Sequence, residues 1–442
     1  MKILSIILLN LLSQCLLENM VCKKTIHVII SWSHVQTAEV EDSPNPRSSK
    51  ALSVFSVVSF PNAVCASASG FNGTCYTSSE CLSLGGSASG TCASSFGVCC
   101  VFSLTCGSTG SQNNTYAIIS SYSTSSDKDP CQYTICKSNS AVCKLRIDFD
   151  TMVLAGPYAT VTTADDGIRV GDCIYDTFTV SNPGGPTPPI ICGLNTGQHM
   201  FIPASDSCNT INIDIDTGTT TTTRKWQIKV TQYECGNLMA PDQDCLQYHT
   251  AQVGTIASFN WDISTTTVAA TQLHLSSQYY SVCIRRTRGQ CSVCFTPEVI
   301  GTADGIASSY GLGGSSIAAI QTGSVGATCT GITTQPGPGG AAYGDYLEIA
   351  NLQPTIGTSG TTTTGTRICG AVFNAIANIA QATACSFAIP FKVGVHFDDG
   401  EAIHTSPLAA PNLNKAENDP AATVGAGYGY SGFWLTYWQN AC

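Results

Sequence analysis

Hydrophobic and polar residues alternate with a period of two along several short stretches of the chain. In KLRIDFD, Leu145, Ile147 and Phe149 fall on one side of an extended strand, with Lys144, Arg146, Asp148 and Asp150 on the other. The same reading turns Ile211, Ile213 and Ile215 of INIDID, and Trp226, Ile228 and Val230 of WQIKV, toward a core. FKVGVHFD sets Phe391, Val393, Val395 and Phe397 against Lys392, Gly394, His396 and Asp398. The terminal GFWLTYWQNAC alternates Phe433, Leu435 and Tyr437 with Trp434, Thr436 and Trp438. Side chains of a strand point alternately to opposite faces, so these stretches predict half-buried strands. Threonine runs at 219–223 and 361–364 lie beside glycines and are expected in hairpin loops. Only 371–382, AVFNAIANIAQA, has a helical look, and a short turn is enough to account for it. Many short strands with turn signals between them predict an all-β protein built of β-sandwiches.

Composition narrows the class. A chain of 442 residues is expected to hold two or three domains. Charged residues are 11% and hydrophobic ones 43%, a mix suited to strands and turns rather than solvated helices. With a net charge of -10 and no basic cluster larger than IRRTR at 284–288, nucleic acid is excluded as a partner. Twenty-four cysteines point to an oxidising compartment. The opening MKILSIILLNLLSQCLL reads as a secretory signal, and a second candidate runs from Met20 through Lys23 and Lys24 to Ala38. Neither apolar run reaches the roughly 20 residues of a membrane span. Residues 1–38 are therefore expected to form a signal region and 39–60 a linker, leaving a secreted, extracellular chain with no transmembrane anchor. Removal of Cys15 and Cys22 with the signal leaves 22 cysteines from Cys65 onward, enough for eleven bridges.

Several chemistries can be weighed against the cysteines and histidines. Residues 65–100 contain six cysteines and no histidine, and the adjacent Cys99 and Cys100 cannot easily turn toward one zinc ion. Cys291-Ser-Val-Cys294 has redox spacing but sits on a strand-like stretch. Disulfides are the expected state, because a segment with almost no large apolar residues cannot fold on burial alone. No GDSGG, GxSxG or HExxH context occurs, and the histidines at 27, 34, 199, 249, 274, 396 and 404 have no ligand spacing. His396, on the outer face of a strand, and His274, just before one, are expected at the surface. Gly427, Gly429 and Gly432 spell GxGxxG, but they open a terminal strand instead of a helix, so no dinucleotide site is expected. Two Asn-x-Thr sequons, at Asn72 and Asn113, are candidate glycosylation sites in a secreted chain.

Two family resemblances add to this reading. The cysteines at 65, 75, 81, 92, 99 and 100, ending in CC, resemble the clip-type knots that precede protease domains in arthropods. That resemblance implies the pairs Cys65–Cys99, Cys75–Cys92 and Cys81–Cys100. Further on, CGSTGSQNNTY, CQYTICKSNSAVCKLRIDF, GDCIYDTFTV and IICG keep the order of a CUB domain, resting on Cys106, Cys131, Cys173 with Asp176, and Cys192 with Gly193. A more divergent set, DCLQYHTAQVGTIASFNWD, HLSSQYYSVCIRRTRGQCSV, GDYLEIANL, RICG and GFWLTYWQNAC, is similar to secreted CUB-domain proteins of insects and crustaceans.

The resemblance implies CUB-type β-sandwich (jelly-roll) domains in tandem, preceded by a small disulfide knot. Expected boundaries are 61–103 for the clip-like knot, 104–234 for the first CUB-like domain and 235–442 for the divergent second. It further implies the bridges Cys106–Cys131, Cys173–Cys192 and Cys329–Cys369. Many CUB domains bind calcium through three acids. The carry-over gives Asp176 in the first copy, with Asp216 only roughly placed as a third acid and Ala155 where a glutamate is expected. In the second copy it gives Asp345 and Asp399, with Glu298 the nearest early glutamate. Read without the family, these are solvated loop acids, and no other cofactor is implied. The functional expectation is a secreted, non-catalytic extracellular recognition protein that binds protein or glycan ligands through exposed loop tips. The alternatives are a non-catalytic regulator or cofactor of a clip-type serine protease cascade, or a cuticle or matrix component. Tyr279, Tyr280 and Arg285 are possible contact residues, though strand burial explains them equally.

Overall fold

The computed structural model describes residues 58–122, 129–158, 171–216, 222–241, 245–264, 273–300, 309–312, 324–325, 345–354, 365–369, 373, 383–398 and 431–442. The signal region, most of the linker, most of the two threonine runs and of 371–382, together with Asp399, Cys329 and the GxGxxG glycines before Gly432, lie outside these residues.

The six-cysteine segment contains β1 (Val64–Ala66), β2 (Asn72–Tyr76), helix α1 (Ser78–Ser83), β3 (Ser87–Cys92) and β4 (Gly97–Leu104). Disulfides join Cys65 to Cys99, Cys75 to Cys92 and Cys81 to Cys100. Closing loops of 17 to 34 residues stabilises such a segment by about 3 kcal/mol per bridge on the chain-entropy account. Helix α1 has a signal that alternation does not reveal. Glu80 N donates to Thr77 Oγ1 at 3.2 Å, and Thr77 N donates to Glu80 Oε2 at 3.0 Å, a reciprocal capping box that fixes where the helix starts. It holds buried Cys81 in place for its bridge to β4.

Strand β4 runs out of this segment and pairs in parallel with β6 (Thr115–Ile119), Phe102 opposite Thr115 and Leu104 opposite Ala117. The knot thus shares a sheet with the first sandwich. That sheet takes in β8 (Val142–Val153), β10 (His199–Pro203) and β12 (Lys225–Glu234), in the order β1-β2-β4-β6-β12-β8-β10, with β3 on β4. Facing it is a four-stranded sheet of β5 (Ser108–Gly110), β7 (Cys131–Ile135), β11 (Asn209–Asp214) and β9 (Thr177–Ser181). Leu145, Ile147 and Phe149 of β8 and Ile211 and Ile213 of β11 are buried between the two. Phe149 meets Phe178 edge to face at 5.2 Å, and Trp226 Nε1 donates to the Tyr133 hydroxyl at 3.0 Å, so rings and a hydrogen bond cross the layer.

The second sandwich is one continuous sheet folded on itself. Its strands are β13 (Gln247–His249), β14 (Val253–Ala257), β15 (Gln278–Ile284), β16 (Gln290–Pro297), β17 (Tyr310–Gly311) and β18 (Ser324–Val325). They are followed by β19 (Tyr346–Pro354), β20 (Gly365–Cys369), β21 (Ala384–Ser386), β22 (Phe391–Phe397) and β23 (Gly432–Ala441). The order is β13-β15-β22-β19-β21-β16-β23-β14, with β17 on β23, and β20 joining β18 to β19. Strand β19 makes the corner: Tyr346–Glu348 pair with β22, and Leu352–Pro354 with β21. Asn351, at φ 54, lies where the pairing changes, in the left-handed region that asparagine tolerates better than most residues. Phe391, Val393, Val395 and Phe397 of β22, and Phe433, Leu435 and Tyr437 of β23, are buried.

A buried polar seam joins the two sandwiches. Asn260 Oδ1 accepts from Leu194 N at 2.9 Å, its Nδ2 donates to Leu273 O at 2.8 Å, and its own N donates to Asn195 Oδ1 at 2.9 Å. Gln198 Nε2 donates to Ser258 O at 2.9 Å, and Gln278 Nε2 donates to Ile190 O at 2.9 Å. The glycine of the Cys192-Gly193 pair is needed here, since it sits at φ +74 and a Cβ would overlap Asn260 Oδ1. Asn260 and Gln198, paired on both atoms of their amides, fix one geometry here, because any slippage would leave these groups unpaired out of water. The seam therefore holds the 186–190 loop of the first sandwich over the outer face of the second.

Candidate recognition groove

Four adjacent strands build the floor of a groove. Register places Tyr279 of β15 opposite His396 of β22, and His396 opposite Tyr346 of β19; Arg367 of β20 pairs with Glu348 of β19. With period-two alternation, residues such as Leu347 and Val395 go inward while Tyr346, Glu348, Lys392 and His396 stay on the outer face. The side chains then meet each other across the strands. Tyr346 and His396 stack at 4.5 Å, Tyr279 lies 6.0 Å from His396 at 72°, and the Arg367 guanidinium sits 4.4 Å from the Tyr346 centroid. Glu348 Oε2 is 3.4 Å from His396 Nε2. Gly394 lies between them, where a Cβ would stand 3.1 Å from His396 Nε2 and 3.2 Å from Glu348 Cβ. Partial burial pulls the His396 pKa below its ordinary value, and the neighbouring Glu348 carboxylate opposes that pull.

The opposite wall comes from the first sandwich: Pro186, Pro188 and Pro189 of the loop, with Pro203 at the end of β10. Lys144, Lys392 and Ile389 complete a cavity of about 640 Å³. Tyr279 is 60% exposed on this floor, whereas Tyr280, its neighbour in sequence, is buried and packs on Phe259. Arg285 lies elsewhere and donates to Leu238 O at 3.2 Å and Thr250 O at 3.3 Å, a loop-holding role. Sequence reading put Lys392 and His396 on an outer face but missed Tyr346, Glu348 and the PTPP loop at 186–189. The alternation in YLEI and the proline cluster were the available signals.

The described acids among the calcium candidates, Asp176, Asp345 and Glu298, are engaged within the protein; Asp399 lies outside the described residues. Asp176 is fully buried, forms a two-point ion pair with Arg224 at 2.8 and 3.0 Å, and accepts from Ala155 N at 2.6 Å and Asp216 N at 3.1 Å. Four donors occupy its oxygens, whereas calcium needs six or more oxygen ligands turned toward one point. Asp345, also buried, accepts from Asp398 N at 2.9 Å, and its Oδ2 lies 3.1 Å from His274 Nε2. Glu298 takes the Thr436 hydroxyl on β23. These residues do not fit a shared cation, and among the described residues no group of three or more His, Cys, Asp or Glu side chains could hold a metal ion.

The histidine expectation needs correction. His274 is 1% exposed against Asp345 and Phe397, because the segment before β15 folds into the seam instead of running over the surface. His199 is also buried: its Nε2 accepts from Tyr248 N at 2.9 Å, and its ring lies 5.0 Å from that of His249. Burial, followed by the positive charge of Arg146, lowers both imidazoles, with His249 at about 4.

Among the cysteines, Cys106 is bonded to Cys131, and Cys173 to Cys192; Cys369 ends β20, but its side chain is not among those described. Cys291 and Cys294 diverge, to Cys442 and Cys385, so no vicinal redox pair forms. Further bridges are Cys136–Cys208, Cys143–Cys235 and Cys245–Cys283. Of the two sequon asparagines, Asn72 has an exposed side chain, while Asn113 Oδ1 accepts from Gln232 N at 2.7 Å and its Nδ2 donates to Gln232 O at 3.4 Å.

Among solved structures, the CUB1-EGF-CUB2 domains of rat MASP-1 cover 75% of this chain and 100% of their own at 12% identity and a TM-score of 0.21. The CUB1-EGF-CUB2 domain of human MASP-1/3 covers 74% of this chain and 99% of its own at 12% identity and a TM-score of 0.19. No curated protein matches the chain. Residues 242–440, the stretch that supplies the groove's aromatic floor, match the family model described as Animal CUB domain.

Proposed function

We propose that this chain is a secreted, non-catalytic recognition protein that takes its ligand in the groove between the two sandwiches. The animal CUB domain is a non-enzymatic extracellular protein-interaction module, and a chain stapled by ten disulfides among its described residues suits an oxidising, extracellular setting. Among the described residues no helix is long and apolar enough to cross a membrane. One observation carries the reading: Tyr279, His396, Glu348 and Lys392 are gathered on the outward face of a sheet beneath a proline loop, with Tyr346 stacked behind His396, where a merely solvated surface would carry scattered polar groups. The two sandwiches act as successive CUB-like units, and the clip-like knot braces the first. Asn72 is the open glycan acceptor of the two sequons. The ligand's identity separates a role in an extracellular protease cascade from one in a matrix.

Arrayed peptides and oligosaccharides, probed with the full chain and with a Tyr279→Ser/Lys392→Glu variant of equal melting temperature, test this. Array members retained by the wild type and lost by the variant support the groove. The same binding profile for both chains sinks it.

A further inference from the structure

We infer that the groove takes an extended, acidic polypeptide segment with apolar residues interspersed; this rests on the recognition reading above. Charge is the first argument. The lining carries Lys144 and Lys392 against a single carboxylate, Glu348, which is held 3.4 Å from His396 Nε2. On a chain of net charge -10 this is a local excess of positive charge in a partly desolvated cleft, where an anionic group gains most.

The walls supply the second argument. Pro186, Pro188, Pro189 and Pro203 have no backbone N–H, so this wall offers apolar rings and few amide donors. A peptide matches such a wall with its apolar side chains. A sugar, whose hydroxyls seek donors as well as acceptors, is poorly served there. The third argument comes from the rings. His396, in the lining, has one face closed by the Tyr346 ring stacked on it at 4.5 Å, so it is not an open platform for a pyranose. A floor with Tyr279 and His396 on neighbouring strands about 4.8 Å apart suits an extended chain crossing the strands.

The test uses the full chain and a fluorescein-labelled ten-residue peptide alternating aspartate with proline and leucine, followed by fluorescence anisotropy. Saturable binding is expected, at least tenfold weaker for the peptide with lysine in place of aspartate. It should also weaken at least tenfold in a Lys144→Glu/Lys392→Glu variant with unchanged melting temperature, and weaken as salt rises. Equal binding of the lysine peptide, or no binding of the aspartate peptide, overturns the inference. Oligosaccharide binding that depends on Tyr279 overturns the acidic-peptide assignment while leaving the groove as the recognition site.

Discussion

Tyr346 and His396 stack with ring centroids 4.5 Å apart and planes 16° from parallel, joining β19 to β22 on the outer face of the second sandwich. The stack fixes two large side chains before any ligand arrives, which lowers the ordering cost of binding. It also ties the imidazole to its neighbours. Burial lowers the His396 pKa and Glu348 opposes the fall, so Glu348→Gln is expected to lower it further. An NMR titration of the imidazole reads this directly; an upward shift in the variant would contradict the assigned pairing.

His199 and His249 make the joint between the sandwiches sensitive to acid. Both have folded pKa values below the ordinary imidazole value, so the unfolded chain binds more protons than the folded one between that value and the folded pKa. Stability is therefore fully present above about 6.5 and falls as pH drops toward about 4; His249 alone accounts for on the order of 3 kcal/mol. Urea unfolding followed across this range should show the loss, and His249→Gln should flatten it. A profile unchanged by that substitution would remove His249 from the account.

Asp176 and Arg224 form a buried pair whose partners cannot be separated cheaply. Asp176→Asn is expected to cost about 3–5 kcal/mol in urea unfolding, because Arg224 keeps its charge without its partner. Calcium should not change the melting temperature of either chain through this site. A calcium-dependent rise abolished by Asp176→Asn would show that the carboxylate leaves Arg224 for the ion.

The cysteines at 291 and 294 should appear in different peptides on non-reducing mapping, one joined to Cys442 and the other to Cys385. Closing a loop of 151 residues is worth about 5 kcal/mol on the chain-entropy account, so Cys442→Ser should lower stability by several kcal/mol. A Cys291–Cys294 peptide would contradict the fold at β16 and β23.

How far each feature is legible in the sequence depends on how locally it is encoded. One-sided burial imposes alternation, so Leu145, Ile147 and Phe149, or Phe391 to Phe397, disclose strands and the all-β class directly. Helix α1 was missed: Thr77 and Glu80 carry its capping signal, but six residues are too few for helical periodicity to stand out. His274 could not be placed, because its burial depends on Asp345, which reaches it only through sheet topology. The Cys291-x-x-Cys294 spacing is ambiguous for the same reason: its partners are 151 and 91 residues away. The groove is the least local feature. It needs Pro186 to Pro189 from one sandwich and Tyr279, Glu348 and His396 from three strands of another, brought together by a seam that centres on Asn260.

The most direct test of the groove is the affinity ratio between the wild-type chain and Tyr279→Ser for the tightest-binding array ligand, measured by titration calorimetry. Tyr279 is 60% exposed, so its replacement should leave the melting temperature within a degree or so while affinity falls at least tenfold. A ratio near one, with both chains folded, would contradict the claim that the ligand lies on this face.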